Sequence, residues 1–531
     1  MTNGISTINK ALNLIPKRAE SRQVERLRDT FVDSGVAAAL QAVDHQILYG
    51  RRGTGKTHAL RYIETVAGTN GDLGVYIDLR QVGSPDGLFL GDETPPTERA
   101  ARLLVDLIVL VHDAILGAAL ERDDLLLDES FVQRLDALAV AISSVRIEGE
   151  VEVSSEAETN ATAKESVSGS AGLSMKSVSL EIGSSGERAS EGRDLQKESR
   201  KGVERRNLNF TQVAQALRAL ADSISRARIW LLLDEWGAIP LDTQPYLAEF
   251  LVRTILPVQR FTVKIAAIEQ QARFRERRSN GQFIGIELGA DMAANVDLDE
   301  FMVFELNEER ARSFFRALFF KHVTSGVDES ERVANVTRQE DLVRVAFTDK
   351  RAFDELVRAA EGVPRDALNI AAKAALNAGA GLISVPHVRQ AARAWFQTDK
   401  ERAFSDNTEA QRLLNWIIDN VIRTKRARGF LVNQRETGSL LIKALFDARV
   451  LHVVRRGYSA QDEPGERYDV YVIDYGAYVD LIHTKYEPLG MLSIGVEDDP
   501  SYADVPTQDL RAIRRAVLRL DDFVAPAVGA S

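Results

Sequence analysis

The 531-residue chain contains no cysteine, which excludes disulfides, thiolate zinc sites and cysteine nucleophiles. It has no excess of positive charge either. Its 67 basic residues against 78 acidic ones give a formal net charge of −11, so nucleic-acid contact would need a local patch. The seven histidines, at 45, 58, 112, 322, 387, 452 and 483, form no His-x-x-x-His pairing, and no Gly-x-Ser-x-Gly elbow or nuclease carboxylate set occurs. No repeat with a period of roughly 20–50 residues is visible, which argues against a solenoid. The start, Met1-Thr2-Asn3-Gly4, has no basic leader, apolar run or small-residue cleavage site. The most apolar stretch, Leu103 to Leu120, is interrupted by Asp106, His112 and Asp113 and reads as a buried core helix. The expectation is a cytoplasmic chain without a membrane span. What remains is ordinary globular composition, 45% hydrophobic and 27% charged. At roughly 150 residues per domain, the length accommodates three or four domains.

Residues 46–57 read Gln-Ile-Leu-Tyr-Gly-Arg-Arg-Gly-Thr-Gly-Lys-Thr, an apolar run, a glycine-rich turn and the start of a helical pattern. Gly50, Gly55, Lys56 and Thr57 satisfy G-x-x-x-x-G-K-[ST]. The glycines let consecutive backbone N–H groups point into one concavity at a helix N-terminus, where phosphate is favoured. The candidate ATP-binding set is therefore Gly50, Arg51, Arg52, Gly53, Thr54, Gly55, Lys56, Thr57 and His58, with Lys56 reaching the β- and γ-phosphates and Thr57 holding Mg²⁺. A second metal acid is required, because Mg²⁺ is usually held by one or two carboxylates plus phosphate oxygens. Residues 229–235, Ile-Trp-Leu-Leu-Leu-Asp-Glu, supply it: Asp234 ends a buried strand and Glu235 follows as the candidate general base. Further strands are expected over 74–79, 261–268 and 301–304, with helical patterns between them, as in a parallel βαβ sheet. Glu269 and Gln270, at the end of the 261–268 strand, are expected to face the γ-phosphate.

Taken in order, these motifs resemble an AAA+ ATPase, and within that superfamily the Orc/Cdc6-like branch. Gly50 to Thr57 stands as Walker A, Asp234-Glu235 as Walker B, and Glu361-Gly362-Val363-Pro364-Arg365-Asp366 as part of a helical lid. The resemblance implies that Arg365 is the sensor 2 arginine, reaching the γ-phosphate from the lid. It also implies that Arg18-Ala19-Glu20 lies near the adenine and that 385–391 belongs to the last lid helix. The sensor 1 position, commonly Asn, is here Glu269 or Gln270. No trans-acting arginine finger stands out among Arg273, Arg275, Arg277 and Arg278.

Residues 410–422 carry apolar side chains at helical spacing, followed by Phe430-Leu431-Val432, a second helical pattern over 436–448, and two strands, 451–457 and 467–474, joined by a polar hairpin. This is the plan of a winged helix-turn-helix, and Orc/Cdc6-like proteins end in one. For duplex DNA, the second helix would present Arg435, Ser439 and Lys443, while Arg455 and Arg456 would touch phosphates. A protein-protein role for the wing stands beside that reading. After residue 486 a tail ends in an expected helix, 508–520. Residues 145–205 contain no aromatic residue and no proline. They are either a loop or a β-hairpin arm made from 145–153 and 173–182, offering a site for a protein partner.

The expected architecture is thus an α/β AAA+ core with a P-loop parallel sheet over 1–306, interrupted by 145–205. An α-helical lid over 307–400, a winged helix over 405–485 and a tail over 486–531 complete it. The expected activity is ATP hydrolysis with Mg²⁺, coupled to DNA or a DNA-bound partner, in a chain that could form a homo-oligomer. A signalling or defence ATPase of the STAND kind, in which the winged helix packs on the core without DNA, is the competing expectation. An ATP-binding scaffold without turnover is a third.

Overall fold

The computed structural model describes residues 6–18, 24–83, 95–120, 122–143, 146–148, 203–205, 209–224, 227–299, 308–325, 333, 335–459, 465–482 and 516–524. Five parallel strands form the central sheet: β1 (Gln46–Tyr49), β2 (Leu73–Asp78), β3 (Ile229–Asp234), β4 (Phe261–Ala267) and β5 (Ala293–Asp297), in the order β2-β3-β4-β1-β5. The strands β3 and β4 are buried along their whole length, which explains their unbroken apolar runs. Alternation assigns their side chains to two layers. Leu48, Trp230, Leu232 and Ala266 face helix α3 (Lys56–Thr69), while Ile47, Leu231, Leu233 and Ile265 face the opposite cluster. That second layer contains α4 (Pro96–Leu120), α5 (Glu129–Ser143), α6 (Phe210–Ser223) and α7 (Gln244–Thr254). Among the described residues, α4 is the one helix long and apolar enough to cross a membrane. Its stripe Leu103, Leu104, Leu107, Ile108, Val111 and Ile115 is buried in the core, while Leu116 and Leu120 lie on its exposed side.

The expected strand 301–304 lies outside the described residues. The fifth strand of the sheet is Ala293–Asp297, which among the described residues pairs with β1 alone. A strand bonded on one side needs no continuous apolar run, and this one carried no strand signal. In the insertion, 146–148 pairs antiparallel with 203–205; the expected partner 173–182 lies outside the described residues.

The helices α8 (Glu308–Thr324), α9 (Gln339–Ala346), α10 (Lys350–Ala359), α11 (Pro364–Ala378) and α12 (Val385–Trp395) pack together. The first helices of the chain are α1 (Thr7–Leu14) and α2 (Val24–Thr30). Although 1–306 is expected to form one unit, α1 packs against α11, and the Asn9 amide donates to the carbonyls of Gly379 (2.8 Å) and Gly381 (2.9 Å).

Helix α13 (Thr408–Ile417) opens the C-terminal module, with Asn407 capping it by accepting from the Ala410 amide at 3.0 Å. Strand β6 (Gly429–Asn433), helix α14 (Leu440–Asp447) and the antiparallel pair β7 (Leu451–Ser459) and β8 (Arg467–Ile473) follow. The expected helix over 436–448 begins only at Leu440, because 434–438 turns and Ser439 takes the N-cap, accepting from the Leu441 amide at 3.3 Å. The expected 508–520 helix is also displaced. Val517–Leu518 forms β9, parallel to the edge of β6, and a helix starts only at Leu520; 508–515 lies outside the described residues. Burial of Ala516 and Leu518 beside that edge favours pairing over helix. The module shares one hydrophobic cluster with α8–α12: Phe396, Phe404, Leu413, Phe430 and Tyr475 are all within it.

At this seam the π-helical turn Phe396–Lys400 brings Lys400 to Asp366 at 2.7 Å and to Asp474. Burial alone would lower the Lys400 ammonium, but Asp366 and Asp474 raise it to about 12. Arg449 adds a second cation on Asp366, at 2.6 Å. Replacing Lys400 with Met removes the ammonium shared by two buried carboxylates, an expected loss of about 3–5 kcal/mol by urea denaturation. The raised lysine sets the sign with pH: its stabilisation is complete below 10.5 and lost as pH rises through about 12, a decline that the Met variant lacks.

Candidate functional site

The turn between β1 and α3 runs over the carboxyl edge of the sheet, where open parallel sheets bind ligands. Gly53 (φ 90°) and Gly55 (φ 100°) are left-handed, as a loop with inward amides requires. At Gly53 a second constraint applies: a β-carbon would come within 2.8 Å of Arg365 Cβ and 3.1 Å of Val363 Cγ1. Its carbonyl accepts from the Arg365 amide at 3.2 Å, so the start of α11 rests on the loop. The left-handed pair Glu361 and Gly362 makes the turn that aims α11 this way. Thr54 is internal to the loop, its hydroxyl donating to the Arg51 carbonyl at 2.9 Å, and Gly50 leaves room for it.

Lys56 is buried and donates to the Gly50 (2.8 Å) and Arg51 (3.0 Å) carbonyls. Burial lowers its pKa, opposed by Asp299, Asp234 and Glu235. Asp234 is 1% exposed. Its Oδ2 accepts from the Tyr76 hydroxyl at 2.8 Å, and its Oδ1 accepts from the Glu235 amide, also at 2.8 Å. Burial, then Asp234, raises the Tyr76 pKa, so the phenol stays a donor. Glu235 stands at φ 56°, ψ 47°, a left-handed conformation rare for a residue with a side chain.

A cavity of about 290 Å³ opens beside these residues. Arg52, Lys56 and Arg365 line it together with Lys17, Arg18 and Arg80; the lining also includes Gly53, Gly55, Thr57, His58 and Glu235. Among the described lining residues Glu235 is the only carboxylate, so the cavity suits a polyanion. Pro16, Leu27, Leu318 and Leu368 form an apolar portion suited to a base. Arg18 is in this lining; Ala19 and Glu20 lie outside the described residues. His58 also bonds through Nε2 to the Leu27 carbonyl at 2.6 Å, fastening α3 to α2.

For Mg²⁺, the donors present are the Asp234 carboxylate and the Thr57 hydroxyl, both hard oxygens. Among the described residues no group of three or more His, Asp or Glu could hold a metal ion. That set fits an ion completed by phosphate oxygens and waters, not an all-protein cage.

Three expected ligands face elsewhere. Arg51 is 2% exposed and does not line the cavity. Its backbone amide and Nε donate to Asp299, at 2.9 and 2.8 Å, while Nη1 donates to His452 Nδ1 of β7 and Nη2 to the Glu361 carbonyl at 3.4 Å. Glu269 and Gln270 lie in a separate recess with Tyr49, Asp297 and Phe446, where Arg456 of β7 draws Glu269 into an ion pair. In both cases the C-terminal module packs on this side of the loop, where His452 gives Arg51 an acceptor and Arg456 gives Glu269 a cation.

Of the expected DNA residues, one meets the α/β core, and the others for which the structure describes a side chain stay within the module. Arg456 is committed to Glu269, Arg435 pairs with Glu466 at 3.2 Å in the turn before α14, and Lys443 is on α14. The side chain of Arg455 lies outside the described residues. Phe446 and Asp447, at the end of α14, meet the phosphate loop and Gln271. Arg273, Arg275, Arg277 and Arg278 lie on or beside the hairpin of Arg275–Arg277 with Phe283–Gly285, and none lines the cavity.

Sequence reasoning missed Tyr76, Arg80, Gln244, Asp299 and His452. Gln244, 0% exposed, bridges the turns after β3 and β4: its amide donates to the Ile239 (2.8 Å) and Gln271 (3.1 Å) carbonyls and its oxygen accepts from Trp236 Nε1 at 3.1 Å. Only Arg80 carried a usable signal, a charge just beyond a parallel strand.

No family model and no curated protein matches the chain. Among solved structures it is similar to a Walker-type ATPase of Pyrococcus abyssi, with 13% identity, 89% of this chain and 99% of that chain covered, and a TM-score of 0.36. The parallel sheet, the phosphate loop and the two acids fit a P-loop ATPase.

Tyr76→Phe leaves the buried Asp234 oxygen without its donor, an expected cost of about 1–3 kcal/mol in nucleotide-free protein. If Mg²⁺ brought by ATP takes up that oxygen, the rise in melting temperature on adding Mg²⁺ and ATP is expected to be larger in the variant than in the unsubstituted protein.

Proposed function

We propose that this chain is an ATP-driven switch: an ATPase that binds ATP with Mg²⁺ in the cavity and couples hydrolysis to the seating of its C-terminal module. Lys56 and the loop amides hold the β- and γ-phosphates. Arg365 reaches the γ-phosphate from α11, and Glu235 accepts a proton from the attacking water. Asp234 and Thr57 would hold a Mg²⁺ ion, whose chemistry when bound would be to neutralise charge on the phosphates.

The observation that carries the reading is that loop, lid and module converge on one buried guanidinium. Arg51 joins the phosphate loop to Glu361 in the lid turn and to His452 in the module. Nucleotide that reshapes the loop must therefore alter the module's seat, and the coupling is reciprocal by linkage. The lid is assigned to 307–400 and a winged helix to 405–485. They resemble the Orc/Cdc6-like AAA+ arrangement, in which the output is DNA or a DNA-bound partner. A second reading is favoured by Arg456 and Phe446 facing the α/β core: the module stays packed and the output is protein assembly, as in a STAND-type switch.

The deciding experiment is ATP hydrolysis with increasing duplex DNA at two salt concentrations. Salt-sensitive stimulation that Arg435→Ala/Lys443→Ala abolishes supports DNA output, and no DNA response supports protein assembly. Lys56→Ala is expected to abolish nucleotide binding. Glu235→Gln is expected to bind ATP normally and turn over about 10²–10⁴-fold more slowly; retained turnover refutes the base assignment. In His452→Ala, hydrogen exchange of 440–473 is expected to stop responding to ATP.

A further inference from the structure

We infer that Arg80 is the arginine with which this chain stabilises the transferring phosphoryl group, in cis and from the end of β2, a role that rests on the ATPase reading above. The strand register places it there. Asp78 is the pairing partner of Asp234, so the residues just beyond each strand are neighbours at the ligand-binding edge. The short turns that follow, Leu79–Gln81 and Trp236–Ala238, touch each other. Arg80 and Glu235 consequently line the same cavity as Lys56 and Arg365. The lid supplies Arg365 from α11 and the sheet supplies Arg80, so the two guanidiniums reach the cavity from separate elements.

Arg80 is also held in place. Its Nε donates to Asp78 Oδ1 at 2.9 Å and its Nη2 to Oδ2 at 2.5 Å, a planar fork matched to the carboxylate. Asp78 Oδ1 accepts from the Arg80 backbone amide at 3.0 Å as well. Burial would raise the Asp78 carboxyl, but its bonds to Arg80 outweigh this and leave it below the usual carboxylate value. The guanidinium is therefore preorganised at a cost already met before nucleotide arrives. Asp78 acts as a positioning residue.

In the step itself, a water oxygen forms a bond to the γ-phosphorus while the bond from that phosphorus to the β–γ bridging oxygen breaks. ADP leaves with the electron pair, and Glu235 takes the water proton. Arg80 gives no proton; it donates hydrogen bonds to the equatorial oxygens as their charge is redistributed, a contribution worth about 10³–10⁵-fold when an arginine supplies it.

The test uses the full chain and the variants Arg80→Ala, Arg80→Lys, Asp78→Asn and the Arg80→Ala/Asp78→Asn double variant. Turnover is measured beside the affinity for ADP and for a non-hydrolysable ATP analogue. Arg80→Ala is expected to lose about 10³-fold in kcat with analogue affinity changed less than about tenfold. Asp78→Asn is expected to lose about tenfold, and the double variant to be no slower than Arg80→Ala alone, since the carboxylate acts only through the guanidinium. Should Arg80→Ala fail to fold, Arg80→Lys carries the test, its kcat falling while ADP binds as before. Turnover unchanged by either substitution overturns the assignment. So does a loss of analogue affinity that matches the loss of kcat. An unsubstituted chain that binds ATP but never turns it over fails differently: it overturns the hydrolysis reading and this inference together.

Discussion

A guanidinium cannot discard its charge, so burying Arg51 to 2% exposure obliges the chain to surround it with acceptors. Those acceptors come from three distant stretches: Asp299 beyond β5, the Glu361 carbonyl before α11 and His452 in β7. Once each is fixed, much else follows. The Asp299 contact ties the loop to the sheet edge. The Glu361 contact places the left-handed turn that seats α11 on Gly53. The His452 contact draws β7 against the loop, and with it Arg456 and Phe446. Because Arg51 donates to His452 Nδ1, the other ring nitrogen is left to donate, and it meets Asp474 Oδ2 at 3.1 Å.

From Asp474 the chain of charges continues to Lys400, Asp366 and Arg449. Asp366 is the residue after Arg365. The same buried series thus begins beside the phosphate loop and returns to the foot of α11. In a low-dielectric interior such a series is stable only when every member is present. Helices α8–α12 and the C-terminal module share a hydrophobic cluster for a related reason: with these charges matched, apolar surfaces such as Phe396 and Tyr475 can close over them.

The parts of the site legible in the sequence are those whose chemistry demands adjacent residues. A phosphate cradle needs glycines and a lysine within one turn, and a metal acid at a strand end needs an apolar run before it. Hence Gly50 to Thr57 and Asp234-Glu235 could be read directly. Glu269 and Gln270 looked equally well placed by strand position, but position at a strand end does not say which way a side chain turns, and Arg456 decides that for Glu269. The partners of Arg51 were illegible because a contact spanning 401 positions leaves no local trace. Tyr76 was hidden because a tyrosine alternating in a strand reads as packing, until the register shows its hydroxyl beside Asp234. Short edge strands such as Ala293–Asp297 and Val517–Leu518 were missed since pairing, not composition, makes them strands.

That last strand bears on how the molecule is made. The partner of β6 along one edge is β9, which leaves the ribosome about 85 residues later, several seconds at ordinary elongation rates of about 5–20 residues per second. Throughout that interval the edge around Leu431 and Val432 presents unpaired amides and carbonyls beside apolar side chains. That edge of the nascent module is thus completed only when its final strand emerges, so the finished sheet depends on a segment far along the chain.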